Sequence, residues 1–455
     1  MAPFIVSSFG VFVMSLFAGL FTTPSWQTFT ILAYGWAVAG GERQTLSTYL
    51  WVAGATEEKH WSCFYRFVGG ALYAARWQLW GRIIRCAAQW VPAPEAIRMV
   101  VDDSSKKKAG REIEGIACYR NGAGSARQEY RTLWGLNFVW AIMRVPLRWW
   151  PGQSVSVPIG LSLYLKEEQA RTLQLPYQSR SALAREMVDF VAAQLPQRQV
   201  RVLNDGGYAT TEYLHQLPAT VNVVGRMLVT GKLYLPPPPR RAHQRGCPAK
   251  KGPLLGSPKT LARKRTGWQP HPTEAGARVQ AWVGIWHTVL PGRLLRVVVV
   301  CRPAASRRRK PGQRKPPPAV EAFFTTDLTL SWAAVLAQYR ERWAVEITLR
   351  DGNAFTGFGQ DQCRKYPRVV GVNTFRLVLA AARTLWFVAQ TSRTGTLDLT
   401  RLRPWYRHKQ APSQLDIVWA CREALQVEGV FPIPRFTLGP AKIPQEPENA
   451  LPLAA

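Results

Sequence analysis

The chain has 455 residues, room for roughly two to four domains, and its 47% apolar content excludes an intrinsically disordered protein. Its 59 Lys and Arg against 28 Asp and Glu leave a formal charge of +31, a broad positive field that suits a polyanion, with nucleic acid the default partner. Seven scattered cysteines, with no CxxC pair and an odd total, point to reduced thiols rather than a disulfide framework or a zinc site.

Residues 4–21, "FIVSSFGVFVMSLFAGLF", form an uncharged run with the length of a membrane span. No Lys or Arg precedes Arg43 to make a basic flank, and Ser7, Ser8, Gly10, Ser15 and Gly19 dilute the run, so a buried helix is expected. The pattern stays helical and rich in Trp and Arg to about Pro94, which makes 1–95 an all-helical domain for DNA binding or dimerisation. Its Trp and Leu residues, at helical spacing, are expected in the core more than on bases.

At "AIRMVVDDSSKKKAG" a short apolar run ends in two carboxylates, the pattern of a strand that delivers Asp102 and Asp103 at its C-terminal end. "EIEGIACYR", "YRTLWGLNFVWAIMRV" and "SVSVPIGLSLYL" read as further strands of a meander. The helix "SRSALAREMVDFVAAQL" follows, then the strand "RQVRVLNDGGY", which ends at Asp205. Ligand sites of open α/β sheets collect at carboxyl ends of strands, so Asp102 and Asp205 meet if their strands are neighbours. Residues 96–235 are thus the first part of an α/β core.

Residues 236–276 and 302–318 are dominated by Pro, Gly, Lys and Arg and read as solvent-facing basic loops. With the strands "RVQAWVGIWHTVL" and "RLLRVVVVCR" between them, 236–319 reads as a strand-bearing basic insertion. The helical period returns at 331 through "SWAAVLAQYRERWAVEITLRDGN", in the second core part, 320–395. On one continuous helix, Tyr339, Arg342, Glu346, Arg350 and Asn353 share a face. Trp332, Leu336, Trp343 and Ile347 form an apolar stripe with Glu346 at its edge. Residues 396–455 read as a C-terminal helical region and tail.

Three carboxylates from two strand ends and a helix suit hard divalent cations such as Mg²⁺, which take oxygen ligands and serve phosphoryl displacement. Each carboxylate also has an ordinary explanation. Asp102 with Asp103 can cap or turn the chain, Asp205 before two glycines is a turn signature, and Glu346 can pair with Arg342 and Arg350 along the helix.

Taken together, these segments resemble bacterial insertion-sequence transposases of the DDE superfamily, whose core is ribonuclease-H-like. The resembling branch has a third motif of Tyr, two residues, Arg, three residues, Glu, six residues, Lys; Tyr339, Arg342 and Glu346 match it in type and spacing. Asp102, Asp103 and Ser104 correspond to a first motif Asp-x-Thr, with Asp102 the leading ligand and Asp103 the fallback. Asp205, Gly206, Gly207 and Tyr208 correspond to the second. The Pro-rich basic passage after the second motif and the insertion before the glutamate are also similar to this group, over most of residues 20–430. Two positions depart from it: Ser104 keeps the hydroxyl of Thr, whereas Asn353 replaces the Lys and removes a charge for which Arg350 is a substitute.

The resemblance implies a mixed α/β fold with a ribonuclease-H-like sheet and flanking helices. It implies two divalent metal ions (Mg or Mn) on Asp102, Asp205 and Glu346, and DNA contacts from Tyr339, Arg342, Arg350, residue 353 and Arg226. The partners would be double-stranded DNA, both the terminal inverted repeats and the target, and a second copy in an active homodimer. The location would be the cytoplasm, at the nucleoid and off the membrane. The expected activity is end cleavage and strand transfer; the alternative set by Asn353 is an impaired relic that only binds DNA.

Overall fold

The structure, a computed structural model, describes residues 2–40, 43–120, 131–240, 246–303, 319–395, 405–406, 409 and 411–430. The basic loop expected at 302–318 therefore lies almost wholly outside the described residues, as does the tail beyond 430.

The apolar run near the N-terminus is broken by Ser7, whose hydroxyl accepts from the Gly10 amide and caps the second of two short helices, Ala2–Val6 and Ser8–Phe17. Phe4, Phe9, Val13 and Phe17 are fully buried. Helices Thr23–Val38, Leu46–Val52, Ser62–Gly69 and Arg76–Ala88 follow. Trp36 and Trp80 are core residues, while Trp51 and Trp61 are exposed. Helix Tyr366–Thr394 is apolar nearly all round, and 94% of its most apolar stretch is buried. N-terminal helices pack on one flank of it and the sheet on another. It stops where Gly395 adopts a left-handed φ of 68°.

The described residues form one mixed sheet of twelve strands: β1 Ile97–Lys107, β2 Ala117–Arg120, β3 Thr132–Pro146, β4 Ser154–Tyr164, β5 Val200–Asn204, β6 Val221–Arg226, β7 Leu233–Tyr234, β8 Leu254–Gly256, β9 Gln269–Pro270, β10 Arg278–Ile285, β11 Leu294–Arg302 and β12 Ala319–Thr325. Their order is β2-β3-β1-β5-β6-β12-β11-β10-β7-β8, with β4 also on β3 and β9 on β10. β1, β5 and β6 run parallel, and the pairs around them are antiparallel. A parallel centre needs cover on both faces. Helix Arg180–Gln194 supplies Leu183, Met187 and Val188 to one face, and helix Trp332–Arg340 supplies Val335 and Leu336 to the other. β10 and β11 of the insertion extend this sheet through β12 instead of forming a separate layer.

Two local expectations are corrected. β1 does not end at Asp102 and Asp103; it continues to Lys107 because β3 is long enough to pair with it that far. The Glu346 segment is not one helix. Trp332–Arg340 and Ala344–Phe355 are separated by a 3₁₀ turn, Glu341–Trp343. Three residues at 3₁₀ pitch advance the helical phase by about 60° more than an α-helix would. The expected stripe therefore holds only before the turn: Leu336 is buried, but Trp343 and Ile347 are 58% and 43% exposed, and Val345 is buried in their place.

Candidate active site

Parallel pairing of β1 with β5 ends with Val101 opposite Asn204, so the next residues, Asp102 within β1 and Asp205 just past β5, stand at the same level. Asp205 then opens a short 3₁₀ turn, Gly206–Tyr208. Because side chains alternate across a strand, Asp102 shares the face of Val100, which packs with Val335, Leu336 and Val345 beneath the Glu346 segment. Asp103 faces the other way. It accepts from Asn137 Nδ2 at 3.0 Å, Arg180 at 3.3 Å and Tyr208 OH at 3.4 Å.

The break in the Glu346 segment divides the third motif between the two aspartates. Tyr339, on the first helix, donates to Asp205 Oδ1 at 3.4 Å. Arg342, in the turn, reaches Asp102 Oδ2 at 3.2 Å and Glu346 Oε1 at 3.1 Å. Asp102, Asp205, Glu346, Tyr339 and Arg342 thus converge. Arg226 ends β6 but pairs with Glu321 at 2.8 Å, Arg350 pairs with its neighbour Asp351 at 3.1 Å, and Asn353 is exposed.

Burial pushes the Asp102 carboxyl up to about 7, with the charges of Asp103 and Asp205 adding to the rise and Arg342 and the Asp103 amide opposing it. Burial would lower the Arg342 guanidinium, but the charges of Asp102, Tyr339 and Asp205 hold it above its usual range. Tyr339 is raised by burial and by Asp205. One desolvated carboxyl is therefore short of positive charge, and one arginine serves two acids.

An all-oxygen set of Asp102, Asp205 and Glu346 has the donor chemistry of a hard divalent cation site. The guanidinium of Arg342 occupies the position between Asp102 and Glu346, so its positive charge stands in for a cation there. Among the described residues, no three His, Cys, Asp or Glu side chains are gathered closely enough to hold an ion.

Sequence reading did not single out Asn137, Arg180 or Lys106, and it named Tyr208 only as the aromatic of the second motif. A period of two along β1 was the available signal: it puts Asp102, Ser104 and Lys106 on one face and Asp103 on the other. Lys106 lies over the Phe358 ring at 5.3 Å.

No curated protein matches the chain. A family model described as "DDE superfamily endonuclease" matches residues 27–282, a stretch that holds both Asp102 and Asp205 and ends before Glu346. With the match covering more than half of the chain and two carboxylates level on adjacent strands, the protein belongs to the DDE superfamily of endonucleases.

Proposed function

We propose that this protein is a DNA transposase: it binds the terminal repeats of its own element as at least a dimer, cleaves them and joins the freed ends to target DNA. The observation that carries this reading is that, in a DDE-family chain, Asp102 and Asp205 stand level on adjacent parallel strands while Arg342 bridges Asp102 to Glu346 and Tyr339 binds Asp205. The strand order, with parallel β1, β5 and β6 flanked by antiparallel β3, supports a ribonuclease-H-like core.

Asp102, Asp205 and Glu346 would hold two divalent cations, Mg or Mn, with Asp103 the reserve ligand. Such ions supply an activated attacking oxygen and charge neutralisation at the leaving oxygen. Arg342 would exchange its two carboxylates for a DNA phosphate, which a guanidinium binds through paired N–H donors. Tyr339, held beside Asp205, would steer the DNA at the same place. Arg226, Arg350 and Asn353 would be further contacts to the DNA.

The test is cleavage of duplexes drawn from DNA flanking the coding region. Mg²⁺-dependent nicking that disappears in Glu346→Gln and Asp205→Asn is expected. DNA binding with no cleavage under any divalent cation would overturn the enzyme reading and leave a DNA-binding relic, the outcome that Asn353 in place of Lys keeps open.

A further inference from the structure

Three consecutive lysines follow the first acidic motif on β1, and their environments differ. Lys108 is spent inside the protein: its ammonium donates to the Asp361 carbonyl at 2.7 Å and lies 3.4 Å from the Asp361 carboxylate. Lys107 is exposed and, by alternation, on the Asp103 face. Lys106 is half-buried on the Asp102 face, and no carboxylate, carbonyl or hydroxyl among the described residues accepts from its ammonium.

The Lys106 stem is held in place. It lies along Gly359, where a Cβ would come within 3.2 Å of its Cδ and 3.3 Å of its Cε, and its ammonium sits over Phe358. Burial, and Lys108 nearby, push that ammonium down to about 8, the response of a cation in a place that lacks an anion. A lysine that is ordered and partly desolvated yet unpaired is a site waiting for a negative charge.

Lys106 lies four positions beyond Asp102 on the same face, about 13 Å along the strand. That is too far to share the reacting phosphate and close enough to hold a flanking one of the same DNA. Two residues, Thr356 and Gly357, separate Phe358 and Gly359 from the end of helix Ala344–Phe355, whose last turn carries Asn353. Arg350, the other cation near that end, is paired with Asp351 and 73% exposed.

We infer that Lys106, rather than Arg350 or residue 353, is the cation that holds the DNA phosphate flanking the three carboxylates. This rests on the transposase reading above, and the two are separable by experiment. Binding of a labelled duplex from the flanking DNA is measured in EDTA, so that no cleavage competes, over a range of salt. Lys106→Met and Lys106→Gln are expected to bind about tenfold more weakly at low salt and to flatten the dependence of log affinity on log salt by about 0.9. Lys106→Arg retains both. Circular dichroism and melting curves that match the wild type show that the variants are folded.

Unchanged affinity and salt slope in both folded neutral variants overturn the inference. So does a loss that appears in Arg350→Met and not in Lys106→Met. A wild-type protein that binds no DNA would instead defeat the transposase reading itself.

Discussion

Asp102 and Asp103 show how much one residue of strand parity decides. Neighbours in sequence, they face opposite sides of β1: one meets Arg342, the other Arg180, Asn137 and Tyr208. The pH dependence of stability follows from Asp102. Its folded value of about 7 lies above the ordinary 3.8, so the folded state binds the proton more tightly, and the group costs stability as pH rises through that window. In EDTA, Asp102→Asn is expected to be more stable than the wild type by about 1–2 kcal/mol at about pH 8, a figure reduced for its partial exposure. The gap should close below about pH 4, where both states are protonated. Urea titrations at the two pH values check this, and a wild type that is the more stable at the higher pH would refute it. Saturating Mg²⁺ or Mn²⁺ is expected to raise the melting temperature of the wild type and not of the Asn variant. The candidate acids were legible in the sequence because carboxylates that follow an apolar strand run and the Tyr-x2-Arg-x3-Glu spacing are local patterns, although Asp102 lies inside β1 and not at its end. Parity relative to a covering helix was not, since two adjacent aspartates look alike until the strand's partners are known.

Between elements, close approach of backbones is the controlling variable. Helix Tyr366–Thr394 crosses helix Ser62–Gly69 at Gly371, where a Cβ would sit 1.8 Å from the Val68 carbonyl oxygen. Backbone cannot rotate away as a side chain does, so Gly371→Ala is expected to cost about 3 kcal/mol despite the better helix propensity of Ala. Equilibrium urea unfolding measures this, and a neutral or stabilised variant would show that the two helices separate easily. The Glu346 segment teaches the converse. Its apolar spacing identified a helix, yet the 3₁₀ turn at Glu341–Trp343 shifted the phase and sent Tyr339 to Asp205 while Arg342, which also holds Glu346, went to Asp102. Nothing in the local spacing marks such a turn. It arises where Glu341 pairs with Arg98 of β1 at 2.6 Å, a contact 243 residues away in sequence.

At the scale of the whole chain, one hydrophobic cluster runs from Phe4 through the sheet to Leu425 and Val430. Deleting residues 1–95 would bare one flank of helix Tyr366–Thr394, so the truncated protein is expected to be recovered in the insoluble fraction, with the full chain soluble in the same buffer. A soluble, folded truncation would show that the helical region is a separable domain. The charge of +31 leads to a further expectation: DNA affinity falling steeply with salt, with a log–log slope that counts the phosphates contacted, measurable by anisotropy. A flat salt response would mean that the positive field is not used on DNA. The sequence by itself determined what depends on composition and local period: the positive charge that suits a polyanion, the alternation of strands and helices, and the candidate acidic residues. Only the tertiary structure decided which of these meet. Strand order put Asp102 level with Asp205, a helix break divided the third motif between them, and pairing left Lys106 without an anion among the described residues while Arg350 and Arg226 were taken by Asp351 and Glu321. The reason is physical: periodicity is a property of a few consecutive residues, whereas register, phase and ion pairing are settled by partners far away in the chain.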